Sequence, residues 1–220
     1  MHRCSRLATL SASSNKRLKR IAHRAQILST NWRNLETRQL EAEIAFLCID
    51  LLNTWTNASK YYLISALLGA RLISGSQVRA GQASFFSNES DALGYIIQLF
   101  RPRAAPSSTG EWDRRDEPTW HEPRVFREVA KAAALSNMAE IDSAFSTGYR
   151  VFMDLPVFRN YFAHRNLETR RAAMNLGPSY GVGTTQKPSE VLRHTPPGES
   201  LSVLEAWVND LAFTLEFLCT

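Results

Sequence analysis

The sequence predicts an all-α protein. Apolar residues recur at three- and four-residue steps along most of the chain, whereas strict alternation of apolar and polar residues is scarce. Hydrophobic residues make up 44% of the 220 positions, which is enough to build a buried core in one domain. No apolar run reaches the roughly 18 to 20 residues that a membrane span requires, so we expect no membrane-spanning helix.

The beginning of the chain is strongly basic. Nine lysines and arginines lie within the first 38 residues, against the single acid Glu36. We expect residues 1–34 to form a basic N-terminal arm, with a frayed start and a helix from about Asn15 to Ser29, and residues 35–220 to form the helical domain. Positive charge of this density favours attraction to RNA phosphates. A solvated surface helix and a cleaved targeting peptide are the alternatives.

The strongest helical pattern covers residues 35–74. Its apolar residues recur at three- and four-residue steps and include Leu40, Ile44, Leu47, Leu51, Leu52 and Trp55. Gly69 and Gly75 indicate where this helix weakens or ends. A polar stripe on its other side contains Asn57 and Lys60. These two residues are predicted to support RNA binding if the stripe faces a substrate pocket, and simple solvent exposure is the alternative.

The middle of the chain is predicted to contain short helices and one long loop. Asp91 is a candidate cap for a helix that ends before Arg101. Residues 104–122 contain proline, glycine and mixed charges, which predict a long loop. Helices are then expected over about 123–135 and 137–145.

The last 44 residues are predicted to contain a flexible stretch and a closing helix. Residues 177–197 are rich in glycine and proline, which favours a surface excursion. Apolar residues at helical spacing predict a terminal helix from about Ser200 to Leu218.

The segment 158–166 contains residues suited to phosphate chemistry. Arg159 carries a permanent charge and a planar fork of donors, and a histidine such as His164 ordinarily exchanges its proton close to neutral pH. Asn160 and His164 are four residues apart and share one face of a helix. Arg159 lies about 140° from His164 around the axis. The sequence Asp154-Leu155-Pro156 predicts a helix start that places Arg159 in the first turn, from which a long side chain can reach back.

This segment resembles the HEPN superfamily, whose mark is an arginine followed by four to six residues and a histidine on a late helix. Asn160 directly after Arg159 matches the nuclease members. The resemblance is closest over residues 149–171, and elsewhere it extends only to helical character. It implies a HEPN-type helical bundle with long loops that dimerises through the motif helices.

The resemblance also implies a function. The chain is expected to be a metal-independent endoribonuclease in which Arg159, Asn160 and His164 are catalytic and Arg165 binds RNA. The ribose 2′-OH would attack the adjacent phosphate and leave a 2′,3′-cyclic phosphate and a 5′-OH. Expected partners are RNA, a second copy of the chain, and a cognate antitoxin or regulatory protein, because such proteins act as toxins or in defence against phage.

No cofactor is expected. The five histidines never occur at metal-ligand spacing, and no acidic cluster on a helix face completes a site. The three cysteines are widely spaced and odd in number, which predicts neither a disulfide framework nor a zinc site and favours a cytoplasmic location.

Two alternatives remain at this stage. One is a non-catalytic HEPN-type module that binds RNA or protein through the same dimer. The other is a helical scaffold in which Arg159 is a structural ion-pair partner, so that its removal would lower stability rather than activity.

Overall fold

The computed structural model describes residues 5–81, 86–183 and 187–220. Within these ranges the helices are α1 (Leu7–Asn31), α2 (Thr37–Leu67), α3 (Glu89–Phe100), α4 (Pro123–Ala132), α5 (Met138–Ala144), α6 (Val151–His164), α7 (Leu167–Met174), α8 (Pro188–Arg193) and α9 (Val203–Cys219). Short 3-10 turns occupy Trp32–Asn34, Arg114–Asp116 and Gly177–Tyr180. The only β-structure found across the described ranges is two isolated bridges. The all-α prediction is confirmed.

The chain divides into two compact units. Unit 1 comprises Met1–Ser14, Trp55–Gly148 and Thr214–Thr220, and unit 2 comprises Asn15–Thr54 and Tyr149–Phe213. The basic arm of residues 1–34 and the helical domain of residues 35–220 stay a prediction. Helices α1, α2 and α9 each contribute residues to both units.

Helix α1 begins at Leu7, earlier than the expected start at Asn15. Its buried residues follow one another at three- and four-residue steps, so one face of the helix is apolar along most of its length. They are Leu7, Leu10, Ser14, Leu18, Ile21, Ala25 and Leu28. Leu7 and Leu10 lie within the stretch expected to be frayed, yet they are fully buried and continue the stripe. The segment is therefore a core helix.

Unit 1 is built around an aromatic cluster. The Trp55 ring stacks on Phe126 at 5.9 Å between centroids, and Phe126 lies 5.0 Å from Phe145. Beside them, the buried Asn137 amide donates to the Tyr62 hydroxyl at 2.7 Å. These contacts join α2, α4 and α5, which explains why the short helices predicted here are stable in the folded chain.

The long loop at residues 104–122 is anchored by its tryptophans. Trp120 is 4% exposed, and its indole N–H donates to the Glu117 carboxylate at 2.6 Å. Trp112 packs so closely on Gly94 of α3 that a Cβ at that glycine would lie 2.5 Å from the ring. The predicted loop is confirmed, and its position is set by this packing.

The expected end of α2 near Gly69 is confirmed, and the cap of α3 differs from expectation. Helix α2 ends at Leu67 because Gly69 turns the chain with φ +75°, a conformation that glycine adopts at little cost. Helix α3 is capped by Asn88, whose side-chain oxygen accepts from the Asp91 N–H at 3.0 Å. Asp91 in turn accepts from the Asn88 side-chain amide at 3.0 Å and from the Ser87 N–H at 3.2 Å, so the expected cap is the second partner of a reciprocal pair.

Unit 2 holds the motif helix α6, which starts at Val151. The prediction of a start at Asp154-Leu155-Pro156 was wrong. Asp154 is buried and accepts hydrogen bonds from Arg150 Nε at 3.0 Å and from the Tyr180 hydroxyl at 2.5 Å. Because these partners satisfy its carboxylate, Asp154 anchors the helix from within, and Pro156 is the sixth helical residue.

The other side of α6 packs on α9. Phe158 is fully buried and meets the Trp207 ring edge-on at 5.5 Å. The stretch 177–197, expected to be flexible, contains α8, whose Val191 and Leu192 are fully buried. Proline at the first position of a helix is favourable, and Pro188 fills that position here. The terminal helix predicted near residues 200–218 is confirmed as α9.

Candidate functional site

The exposed face of α6 presents part of the motif. Asn160 and His164 are both exposed, lie one turn apart, and project from the same side of the helix. Met153, two turns before Asn160, shares this face and is 73% exposed. The sequence therefore placed the amide and the imidazole correctly relative to each other.

Arg159 lies on a different side of the helix. It is half-buried, and its Nη1 donates to the Asn160 Oδ1 at 3.4 Å. Because α6 starts at Val151, Arg159 is its ninth residue rather than part of its first turn. The helix is regular from Val151 to His164, so Arg159 and His164 remain about 140° apart. Within the described ranges, no hydrogen bond joins His164 to either residue.

The charge of Arg159 acts on α2. Burial raises the pKa of the Cys48 thiol, and the nearby Arg159 guanidinium offsets part of that rise. The guanidinium thus lies within electrostatic reach of a buried residue of unit 2. The same guanidinium donates to the Asn160 amide oxygen.

Helix α6 ends in a tight corner. Arg165 adopts φ +46° and ψ +37°, and its N–H donates to the Tyr161 carbonyl at 2.7 Å. This left-handed conformation costs a residue with a Cβ roughly 1 to 2 kcal/mol. Asn166 then caps α7 by accepting from the Thr169 N–H at 2.8 Å. The strained position carries an exposed arginine, and strained backbone is concentrated at functional sites in proteins.

A cleft of about 490 Å³ opens at this corner. Its charged and polar lining comes from α2, α6, α7 and the residue before α8, and consists of Glu41, Tyr161, Arg165, Asn166, Arg170 and Lys187. The Ser189 hydroxyl donates to the Glu41 carboxylate and fixes that side chain. The sequence pointed to Arg165 but missed Glu41 and Lys187. Lys187-Pro188 carried a usable signal, because proline at a first helical position marks a helix start.

The two supporting residues expected from α2 belong to unit 1, whereas the motif belongs to unit 2. Lys60 is engaged locally: its ammonium pairs with the Glu117 carboxylate at 2.7 Å and lies 5.7 Å from the centre of the Trp120 ring. Asn57 is exposed. Lys60 thus helps to hold the 104–122 loop. A role of Asn57 and Lys60 in RNA binding stays a prediction.

Two further observations concern metal binding and membrane insertion. Among the described residues, no group of three His, Cys, Asp or Glu side chains is placed to hold a metal ion. Of the helices within the described ranges, none combines the length and apolar character needed to cross a bilayer.

Comparisons with protein-family models, with curated proteins and with solved structures found no match to this chain. The resemblance to the HEPN superfamily therefore depends on the motif residues of α6.

Proposed function

We propose that this protein is a metal-independent endoribonuclease that uses Arg159, Asn160 and His164. The observation that carries the proposal is the arrangement on α6: Asn160 and His164 share an exposed face, and the Arg159 guanidinium reaches the Asn160 amide. A cleft with three cationic side chains opens at the corner that follows α6, and it is lined by Arg165 rather than by the three motif residues.

The proposed reaction needs no group beyond these side chains and the RNA. A neutral imidazole takes the proton of a ribose 2′-OH while that oxygen bonds to the adjacent phosphorus. The bond from phosphorus to the 5′-oxygen breaks, and this oxygen receives a proton from an imidazolium. General acid or base catalysis of this kind contributes about 10²- to 10⁴-fold in rate. A guanidinium that stabilises the charge on the phosphorane oxygens contributes roughly 10²- to 10³-fold.

The acid and base roles call for two imidazoles, and one protomer supplies one copy of the motif. A two-fold dimer formed through α6 places two copies of His164 side by side. Met153 is an exposed apolar residue on the motif face, and a dimer formed through α6 would bury it against the partner helix.

The test is cleavage of a defined single-stranded RNA by purified protein in the presence of a chelator. We expect fragments ending in 2′,3′-cyclic phosphate and 5′-OH, and a loss of at least 100-fold for His164→Ala with folding unchanged. His23→Ala is the matched control, because His23 is an exposed histidine on α1. Cleavage that persists in His164→Ala, or that requires a divalent metal, would contradict the proposal.

The alternative is a non-catalytic module that binds RNA or protein through the same dimer. The separation of Arg159 and His164 around α6 favours it, because the two groups do not meet within one protomer. This alternative predicts that wild type binds RNA and leaves it intact.

A further inference from the structure

We propose that two adjoining clefts of unit 2 form a track for single-stranded RNA that leads away from the end of α6. The inference deepens the proposed function and depends on it for the choice of RNA as ligand. It assigns binding roles to Trp32, Lys187 and Arg193, three residues outside the motif helix.

The two clefts lie side by side in unit 2. The cleft beside Arg165 is followed by a second of about 280 Å³, and both are lined by Glu41 and Lys187. Shared lining residues mean that the two spaces adjoin. The first is within the range of roughly 300 to 1,000 Å³ typical of small-ligand sites, which is ample for one nucleotide. A strand that occupies both clefts would therefore extend from the corner at Arg165 to the cleft lined by Trp32.

The far cleft presents an aromatic surface. Trp32 is 36% exposed, a high value for a tryptophan, and it lies in a short 3-10 turn between α1 and α2. The Arg193 guanidinium lies 4.2 Å from the centre of its ring, and Arg33 lies 5.5 Å away. The Arg193 guanidinium covers part of the indole, and the part that stays exposed offers a stacking surface for a base beside charges for the neighbouring phosphates. At the near cleft, Tyr161 supplies a second ring.

The two clefts also carry an excess of positive charge. Five cationic side chains line the two clefts against two carboxylates, Glu41 and Glu190. Glu41 is held by the Ser189 hydroxyl. Burial lowers the pKa of Arg193, while the charges of Glu190 and Glu41 act in the opposite direction, so both carboxylates lie close enough to act on this guanidinium. The excess of positive charge makes the track complementary to a polyanion.

The aromatic rings favour nucleic acid over other polyanions as the ligand of the track. An acidic peptide can pair with the cations, but it gains nothing from the exposed Trp32 ring or the half-buried Tyr161 ring. Bases in a duplex are already stacked on one another, so only a single strand can place bases on Trp32 and Tyr161. The combination of excess positive charge and aromatic stacking surfaces favours a single-stranded polynucleotide.

The experiment measures binding of a fluorescent 2′-O-methyl 12-mer oligoribonucleotide by anisotropy, because this probe lacks the attacking 2′-OH and stays intact on wild-type protein. We expect Trp32→Ala to weaken binding roughly 5- to 150-fold, as one stacked base would. Trp32→Phe should recover most of that loss. Lys187→Gln should weaken binding several-fold and lower the slope of log affinity against log salt by about 0.7.

The matched control for Lys187→Gln is Lys131→Gln, which removes an equal charge from an exposed lysine of α4. We expect this control to bind like wild type, and we expect a duplex of the same sequence or a poly-glutamate peptide to bind at least tenfold more weakly. Wild-type affinity in both Trp32→Ala and Lys187→Gln would overturn the track. Equal affinity for the single strand and the acidic peptide would overturn it too.

The outcomes for the track and for catalysis are distinguishable. Binding that depends on Trp32 and Lys187 without any RNA cleavage would support the track and contradict the nuclease. Cleavage that needs His164 with unchanged binding in the track variants would do the reverse.

Discussion

At the scale of single residues, the backbone conformation of Arg165 lowers the stability of the folded chain. Its left-handed backbone, φ +46°, is one that glycine adopts without steric cost. We therefore expect Arg165→Gly to raise the free energy of unfolding by about 0.5 to 1 kcal/mol, measured by urea denaturation. Arg165→Ala keeps the strained Cβ and should give no such gain. Both variants should bind RNA more weakly than wild type, and a destabilised Arg165→Gly would show that the corner is not strained.

Asp210 is a second residue whose environment has a measurable consequence. Burial raises the pKa of its carboxyl from 3.8 to about 6. The folded state thus favours the protonated form, and the stability that this group contributes is greatest below pH 3.8 and lost as pH rises through about 6. Asp210→Asn should lack this dependence. Relative to wild type, we expect it to gain on the order of 1 kcal/mol between pH 4 and pH 7, after allowance for partial exposure. Parallel stability curves for the two proteins would contradict the pKa shift.

At the scale of elements, the position of α6 depends on a buried polar network. Asp154 accepts from Arg150 and Tyr180, and the Trp207 indole N–H donates to the Tyr180 hydroxyl at 3.2 Å. Asp154→Ala leaves the Tyr180 hydroxyl without its acceptor, so we expect a loss of about 2 kcal/mol in unfolding free energy. Arg150→Gln should cost less than about 1 kcal/mol, because half of the Arg150 side chain is exposed and water replaces the lost partner. An unfolding midpoint unchanged by Asp154→Ala would show that the network does not hold the helix.

The helices also show how much of the fold can be predicted from the sequence. Helical periodicity gave α2, α4, α5 and α9 to within a few residues, because apolar spacing is a local property of the chain. The start of α6 was missed because Asp154 resembles a cap in sequence, and only its partner Tyr180, 26 residues away, shows that it is buried. The pairing of Asn160 with His164 was predictable from helical geometry. The cleft beside Arg165 was not, because Lys187 and Glu41 reach it from distant segments.

At the scale of the whole molecule, the basic start of the chain is part of the core rather than an appendage. Arg17 pairs with Asp50, and Arg24 pairs with Glu43 at 2.5 Å and lies 4.7 Å from the centre of the Phe46 ring. Composition alone shows an excess of positive charge in this region. Arg17 and Arg24 are thus matched by carboxylates of α2, whereas Arg33 of the same region lines the second cleft and belongs to the proposed RNA track.

The proposed dimer can be tested through the oligomeric state of the protein. Met153 is 73% exposed on the face of α6 that carries Asn160 and His164, and a charge placed there would be buried without a partner in a dimer formed through α6. We expect Met153→Glu to shift wild-type dimers to monomers in sedimentation velocity and to reduce RNA cleavage at least tenfold. Ile27→Glu is the matched control, because Ile27 is an apolar residue of α1 that is 44% exposed, and it should leave both properties unchanged. A Met153→Glu protein that is monomeric and fully active would show that one copy of His164 suffices. A protein that remains dimeric would show that the subunits meet through another surface.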